Sequence, residues 1–153
     1  MKILFWEKPG CSGNDRQKAL LSIAGHEIDA RSLPGSVWTR EELLEWLGEL
    51  DVPDWFNHGA RRIQDGEIDP DALDRDTALD LIISDPILVR RPLVEIEGVK
   101  MVGFDLERIE SLAGPLPDTE RIRRVRGEDL EECPGRKTGI KCGEARPEDF
   151  PAQ

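Results

Sequence analysis

Cys11 is the residue in this chain whose type and setting most directly imply chemistry. It stands in Trp6-Glu7-Lys8-Pro9-Gly10-Cys11-Ser12-Gly13-Asn14, after an apolar run that reads as a strand and before a run that reads as a helix. That order places a thiol at a helix N-terminus, where unpaired backbone N–H groups and the positive end of the helix dipole favour the thiolate, the nucleophilic form. Ser12, Gly13 and Asn14 share the loop and are candidate binding residues. A dithiol motif would carry its second cysteine three positions on, where Asn14 stands, so no local Cys-x-x-Cys disulfide can form. A redox cycle at Cys11 therefore needs a distant cysteine, an external thiol or a substrate adduct. The plain alternative is a small buried apolar residue, since cysteine is often interior.

Arg90-Arg91-Pro92 is the second candidate. Arginine presents a fork of donors that suits an oxyanion or a thiolate, and an X-Pro bond opening a strand can be cis. For the dipeptide alone, two surface arginines before an edge strand are the simpler reading. Cys133 and Cys142 lie far downstream, spaced more widely than a zinc knuckle and without two further ligands, so no metal site is expected there. They are candidate resolving thiols for Cys11, or partners in a disulfide of their own, or simply exposed thiols. His26 and His58 have no metal-like spacing, and Trp38, Trp46, Trp55 and Phe56 read as core aromatics. Arg121, Arg123, Arg124 and Arg126 read as a solvated helix face beside acidic neighbours.

These residues need elements to hold them. Lys2 to Trp6 is a short apolar strand ended by Pro9-Gly10, and Ala19, Leu20, Ile23 and Ala24 recur at helical spacing, with Asn14 a candidate for the N-terminal capping and Gly25 a stop. Ile28 and Ala30 alternate in a second strand before Pro34-Gly35, which completes a βαβ unit. Thr39-Arg40-Glu41-Glu42 is a capping box ahead of Leu43, Leu44, Trp46 and Leu47. Asp69-Pro70 reads as a helix start, and Ala78 to Ile83 is a further helical stripe ending before Asp85-Pro86. Leu93 to Ile96 and Val99 to Val102 flank Glu97-Gly98, a hairpin signal, and Asp105 can cap a last helix that ends at Gly114-Pro115. The order βαβ, helical insert, ββα predicts an α/β, thioredoxin-like domain with a mixed sheet over residues 1–114, the insert occupying about 36–84. Residues 115–153 hold many charges and four prolines after Pro115, which predicts a loosely ordered tail with one short amphipathic helix near Thr119 to Glu132.

The chain has 153 residues, enough for one domain with a sizeable core, and a net charge of -11 from 32 acidic and 21 basic residues. Phosphate contacts need a basic footprint, so direct nucleic-acid binding is not expected. No run approaches the roughly 18 apolar residues of a membrane span, and Met1 to Trp6 passes straight to charged residues without a signal-peptide core. With three cysteines, too few for a secreted scaffold, the expectation is a cytoplasmic monomer.

Asp85-Pro86-Ile87-Leu88-Val89-Arg90-Arg91-Pro92-Leu93-Val94, followed by Gly103-Phe104-Asp105, resembles the hallmark of the ArsC/Spx arsenate-reductase-like family, and Lys8 to Asn14 is similar to its active-site loop. Trp6-Glu7-Lys8-Pro9-Gly10-Cys11 and Trp55-Phe56-Asn57 look most like the nitrogenase-associated branch, and the likeness spans roughly residues 1–114. The resemblance implies that Cys11 is the nucleophile and Arg91 an anion-stabilising arginine, with Arg90 and Pro92 beside it. Two further arginines of the reductases fall at Asn57 and Gly103, so arsenate is not the expected substrate; Arg61 and Arg62 lie close to the first gap. Two function classes follow. One is a thiol oxidoreductase with no bound cofactor, served by glutathione, glutaredoxin or a protein thiol; the other is a non-catalytic, Spx-like binding or regulatory factor in nitrogen metabolism.

Overall fold

The computed structural model describes residues 1–126, 128, 130 and 131. Its centre is a four-stranded sheet in the order β2-β1-β3-β4, built from β1 (Lys2–Glu7), β2 (Glu27–Ser32), β3 (Leu93–Ile96) and β4 (Val99–Val102). β1 and β2 are parallel and joined through α1 (Ser12–Ile23), while β1 with β3 and β3 with β4 are antiparallel. The mixed α/β, thioredoxin-like sheet expected from the element order is present.

Local chemistry accounts for the boundaries. Gly25, at φ 85°, turns the chain out of α1 toward β2. The β3–β4 hairpin turns on Glu97 and Gly98, both at positive φ (49° and 81°), the pattern of a tight hairpin turn. In the insert, α2 (Arg40–Leu47) opens with a complete capping box between Thr39 and Glu42. α3 (Arg61–Gln64) and α4 (Arg75–Ser84) follow, the second capped by Asp74, whose side chain accepts from the Thr77 N–H. Asp69-Pro70, expected to start a helix, yields only the single turn Pro70–Ala72, because Leu73 returns to extended backbone and the helix restarts at the Asp74 cap. After the hairpin, Asp105 caps α5 (Leu106–Ala113) by accepting from the Arg108 N–H.

Two clusters of buried side chains hold the elements together. One gathers Trp38, Leu43, Trp46, Trp55, Phe56, Leu79 and Ile82 of the insert against Leu33 and Leu93, so the four aromatics read as core are core. The other joins Ile3, Phe5, Leu20, Leu21, Val94, Ile96, Phe104 and Ile109.

The second cluster also contains Leu116, Ile122, Val125 and Leu130. The chain therefore does not loosen at residue 115 as expected: Leu116, α6 (Glu120–Val125), which is capped by Thr119, and Leu130 are packed against the domain. The short helix expected near Thr119 to Glu132 forms only over Glu120–Val125, and burial of Ile122, Val125 and Leu130 contributes on the order of 1.5–3 kcal/mol each, which offsets the cost of ordering a charged segment. The four arginines read as a solvated face include Arg123, Arg124 and Arg126, which pair with Asp118, Glu120 and Glu110.

Candidate functional site

Sheet register gathers the site at one end of the sheet. β1 runs toward Glu7 and the Cys11 loop, and Trp6 lies opposite Leu93, so residues 90–92 enter β3 at that same end. Leu93 in turn lies opposite Val102, and the Gly103 N–H donates to the Pro92 carbonyl at 2.8 Å, so the chain leaves β4 there as well. Cys11, Arg90, Arg91, Pro92 and Gly103, spread over 93 positions of sequence, thus lie at the same end of the sheet.

Cys11 is the N-cap residue of α1. Its backbone is extended (φ -77°, ψ 114°), its N–H donates to the Lys8 carbonyl and its carbonyl accepts the Asp15 N–H, both at 3.0 Å. Gly10, at φ 81°, is what lets the chain turn into the helix here. The residue is 6% exposed. First-turn N–H groups of a helix have no acceptors within it, so Ser12, Gly13 and Asn14 start the helix at its positive end beside the thiol.

Asn14 lies inside the helix and is not its cap. Its Oδ1 accepts from the Lys8 N–H at 3.2 Å, and its Nδ2 donates to Gln17 Oε1 at 2.9 Å. Gln17 Nε2 then donates to the Leu130 carbonyl at 2.7 Å. Asn14 and Gln17 are both buried, and together they form a polar chain from the thiol loop to the C-terminal segment. On the other side of the loop Glu7 pairs with Lys18 at 2.7 Å, and Lys18 also reaches Asp15 at 3.1 Å. Burial alone would lower the Lys18 pKa, but the two carboxylates outweigh it and the net shift is upward.

The Arg91–Pro92 peptide bond is cis, and Arg91 Nη1 donates to the Ile87 carbonyl at 2.9 Å, which fixes the guanidinium over its own turn. Arg90 points elsewhere. Its N–H donates to the Trp55 carbonyl, and its side chain makes a bidentate pair with Glu131 at 2.7 and 2.8 Å. The Phe104 N–H also donates to Glu131, at 2.9 Å. Gly103, at φ 86°, leaves the space this arrangement uses: a Cβ there would fall on Glu131 Oε1 and lie 2.9 Å from Arg90 Nε and Nη2.

Asn57 sits where Phe56 bridges Val89, its N–H donating to Leu88 at 2.8 Å, and its side chain accepts from the Gly59 N–H. Arg61 pairs with Asp65, and Arg62 with Glu67 and Asp85, so the insert's own carboxylates hold the two arginines near the Asn57 gap. His58 Nε2 meets the Pro53 carbonyl and His26 lies beside the N-terminus. Among the described residues no group of three or more histidine, cysteine or acidic side chains could hold a metal, and no helix is long and apolar enough to cross a membrane. Cys133 and Cys142 lie outside the described residues.

Sequence reading overlooked Gln17 and Glu131. Gln17 carries a faint signal, a polar residue three before Leu20 on a stripe that should be apolar; Glu131 carries none, since its partner is 41 positions away.

Residues 13–112 match the model of the ArsC family. A protein of Rhodospirillum rubrum described as an uncharacterized 15.7 kDa protein in the draG 3' region is 38% identical over 142 residues, covering 93% of this chain and 94% of that protein. Among solved structures, an ArsC family related protein from Bacteroides fragilis superposes with a TM-score of 0.63 at 29% identity, over 73% of this chain and 98% of its own. An arsenate reductase from Vibrio cholerae gives a TM-score of 0.57 at 21% identity, over 73% of this chain and 95% of its own, a likeness of fold.

Proposed function

The chain belongs to the ArsC family, and from that premise we propose that it is a single-thiol oxidoreductase of the nitrogenase-associated branch, acting through Cys11 on a disulfide or small electrophile. The observation that carries the reading is the place of Cys11 as N-cap of a 12-residue helix, where partial positive charge favours a thiolate. In the reaction the Cys11 thiolate attacks one sulfur of a disulfide, the old S–S bond breaks, and the leaving thiolate takes a proton from water. Cys133 or Cys142 then attacks the Cys11 sulfur, expelling the remaining substrate thiolate and leaving an intramolecular disulfide for an external thiol to reduce. Alternatively glutathione, a glutaredoxin or a protein thiol attacks the mixed disulfide, expels the Cys11 thiolate and leaves in the new disulfide. Arg91 stabilises the anion at the Cys11 loop. Inorganic arsenate is a poor substrate in this reading, because Asn57 and Gly103 supply no cation where two further guanidinium groups would be needed. The setting we assign is the cytoplasm, with the protein acting as a monomer.

A second reading, a non-catalytic binding or regulatory factor, draws support from the burial of Cys11 at 6% exposure. The two part in the pH dependence of Cys11 alkylation, measured in a variant with Cys133 and Cys142 replaced by serine. The oxidoreductase reading requires an apparent pKa well below the ordinary ~8.5 of a thiol. An ordinary or inert thiol overturns it and leaves the binding reading.

A further inference from the structure

Glu131 is held as a bound ligand would be. Two parallel donors of the Arg90 fork and the Phe104 N–H converge on its carboxylate, the strong and directional form of carboxylate recognition. Gly103 keeps the approach open, since any side chain there would occupy the carboxylate's position. The contacts continue along the segment. Arg16 pairs through Nη2 with Glu128, Gln17 donates to the Leu130 main-chain carbonyl, and the Leu130 side chain is buried in the second cluster. The recognising groups come from three separate parts of the fold: α1, the approach to β3 and the exit from β4. Together they read the acid Glu128, the apolar side chain of Leu130 and the second acid, Glu131. An apolar pocket and a main-chain carbonyl read between two acids are features of a peptide, and neither a nucleic acid nor an inorganic anion offers them.

We propose that this cleft is a docking site for an acidic segment of a partner protein, with the spacing acid-x-apolar-acid, and that Glu128, Leu130 and Glu131 are its intramolecular occupant. The site does not depend on Cys11 being reactive, so it stands or falls separately from the oxidoreductase reading. A tethered occupant acts at an effective concentration of about a millimolar, so it weakens the apparent affinity for a partner segment by the fraction of time it occupies the cleft. Docking is also linked to the thiol loop, because the same Gln17 that reads the segment's carbonyl is hydrogen-bonded to Asn14, and Asn14 to the Lys8 N–H.

The test uses the full chain and a fluorescein-labelled peptide with the sequence of residues 126–132, followed by anisotropy. A Glu128→Gln/Glu131→Gln chain is expected to bind the peptide at least about tenfold more tightly than the native chain, because its own segment no longer competes. Adding Arg90→Gln, or replacing the peptide's counterparts of Glu128 and Glu131 by glutamine, should remove the gain. Equal weak binding by the native and double-variant chains, or binding indifferent to Arg90→Gln, overturns the proposal. A second measurement needs no variant: excess peptide should raise amide hydrogen exchange in the segment ending at Glu131 of the native chain. Unchanged exchange at saturating peptide likewise overturns it.

Discussion

Asn14 shows how one residue type excludes one chemistry and supports another structure. A cysteine in its place would make a local dithiol; an asparagine instead satisfies the Lys8 N–H and Gln17 Oε1 inside a buried turn. Asn14→Ala removes both partners at once and leaves buried polar groups unmet, a cost of about 1–3 kcal/mol. Urea unfolding should show that loss, and a change under a few tenths of a kcal/mol would mean that the polar chain is not holding the loop. Gly103 permits a sharper comparison with Gly98. Both have positive φ, 86° and 81°, so alanine at either meets a similar backbone penalty of roughly 1 kcal/mol. Only at Gly103 does the added methyl meet atoms, Arg90 and Glu131, whereas nothing lies within 4 Å at Gly98. Gly103→Ala is therefore expected to destabilise measurably more than Gly98→Ala in the same denaturant titration; equal effects would show that the Arg90–Glu131 pair shifts without cost.

At the scale of elements, side-chain caps set where helices begin. Thr39 and Glu42 exchange both hydrogen bonds of a capping box, with the Thr39 N–H donating to Glu42 at 2.9 Å and the Glu42 N–H donating to the Thr39 hydroxyl at 3.2 Å. Thr39→Ala should cost about 1 kcal/mol, read as a lower thermal midpoint, and Thr39→Ser should restore most of it. The same caps explain which elements were legible in the chain. Thr39 and Asp105 were readable because a cap and an apolar stripe agree over a few adjacent residues, and so was the hairpin at Glu97-Gly98. Asp69-Pro70 carried a valid start signal that no apolar stripe followed, and Asp74 supplied the competing cap. Cys11 was legible as a helix-start thiol because strand, Pro-Gly turn and helix are contiguous. Arg90–Glu131 was not, because a long-range ion pair leaves no periodic trace and many acids in this chain could have been its partner.

For the whole molecule, the segment after α5 is part of the core, and its attachment depends on pH. Leu116, Ile122, Val125 and Leu130 close over Phe104 and Ile109, while Glu110 accepts two hydrogen bonds from Arg126, at 2.5 and 2.9 Å, and one from the Leu116 N–H at 2.9 Å. Arg126 chiefly, and then the Leu116 amide, hold the Glu110 carboxyl below its ordinary value. A carboxyl depressed in the folded state binds its proton more readily when the chain is unfolded, so the stability it contributes is fully present above the unfolded value of about 4.3. That contribution is lost as pH falls through the lower, folded value, while Arg126 stays charged throughout. Acidification from pH 7 to 3 should therefore loosen α6 and lower the urea midpoint, with other depressed carboxyls such as Asp29 and Asp74 adding to the slope. Glu110→Gln separates this group from the rest: it should lower the midpoint at pH 7 and flatten the fall toward pH 3. An acid limb of unchanged steepness in that variant would mean that the C-terminal segment is held by its apolar contacts alone.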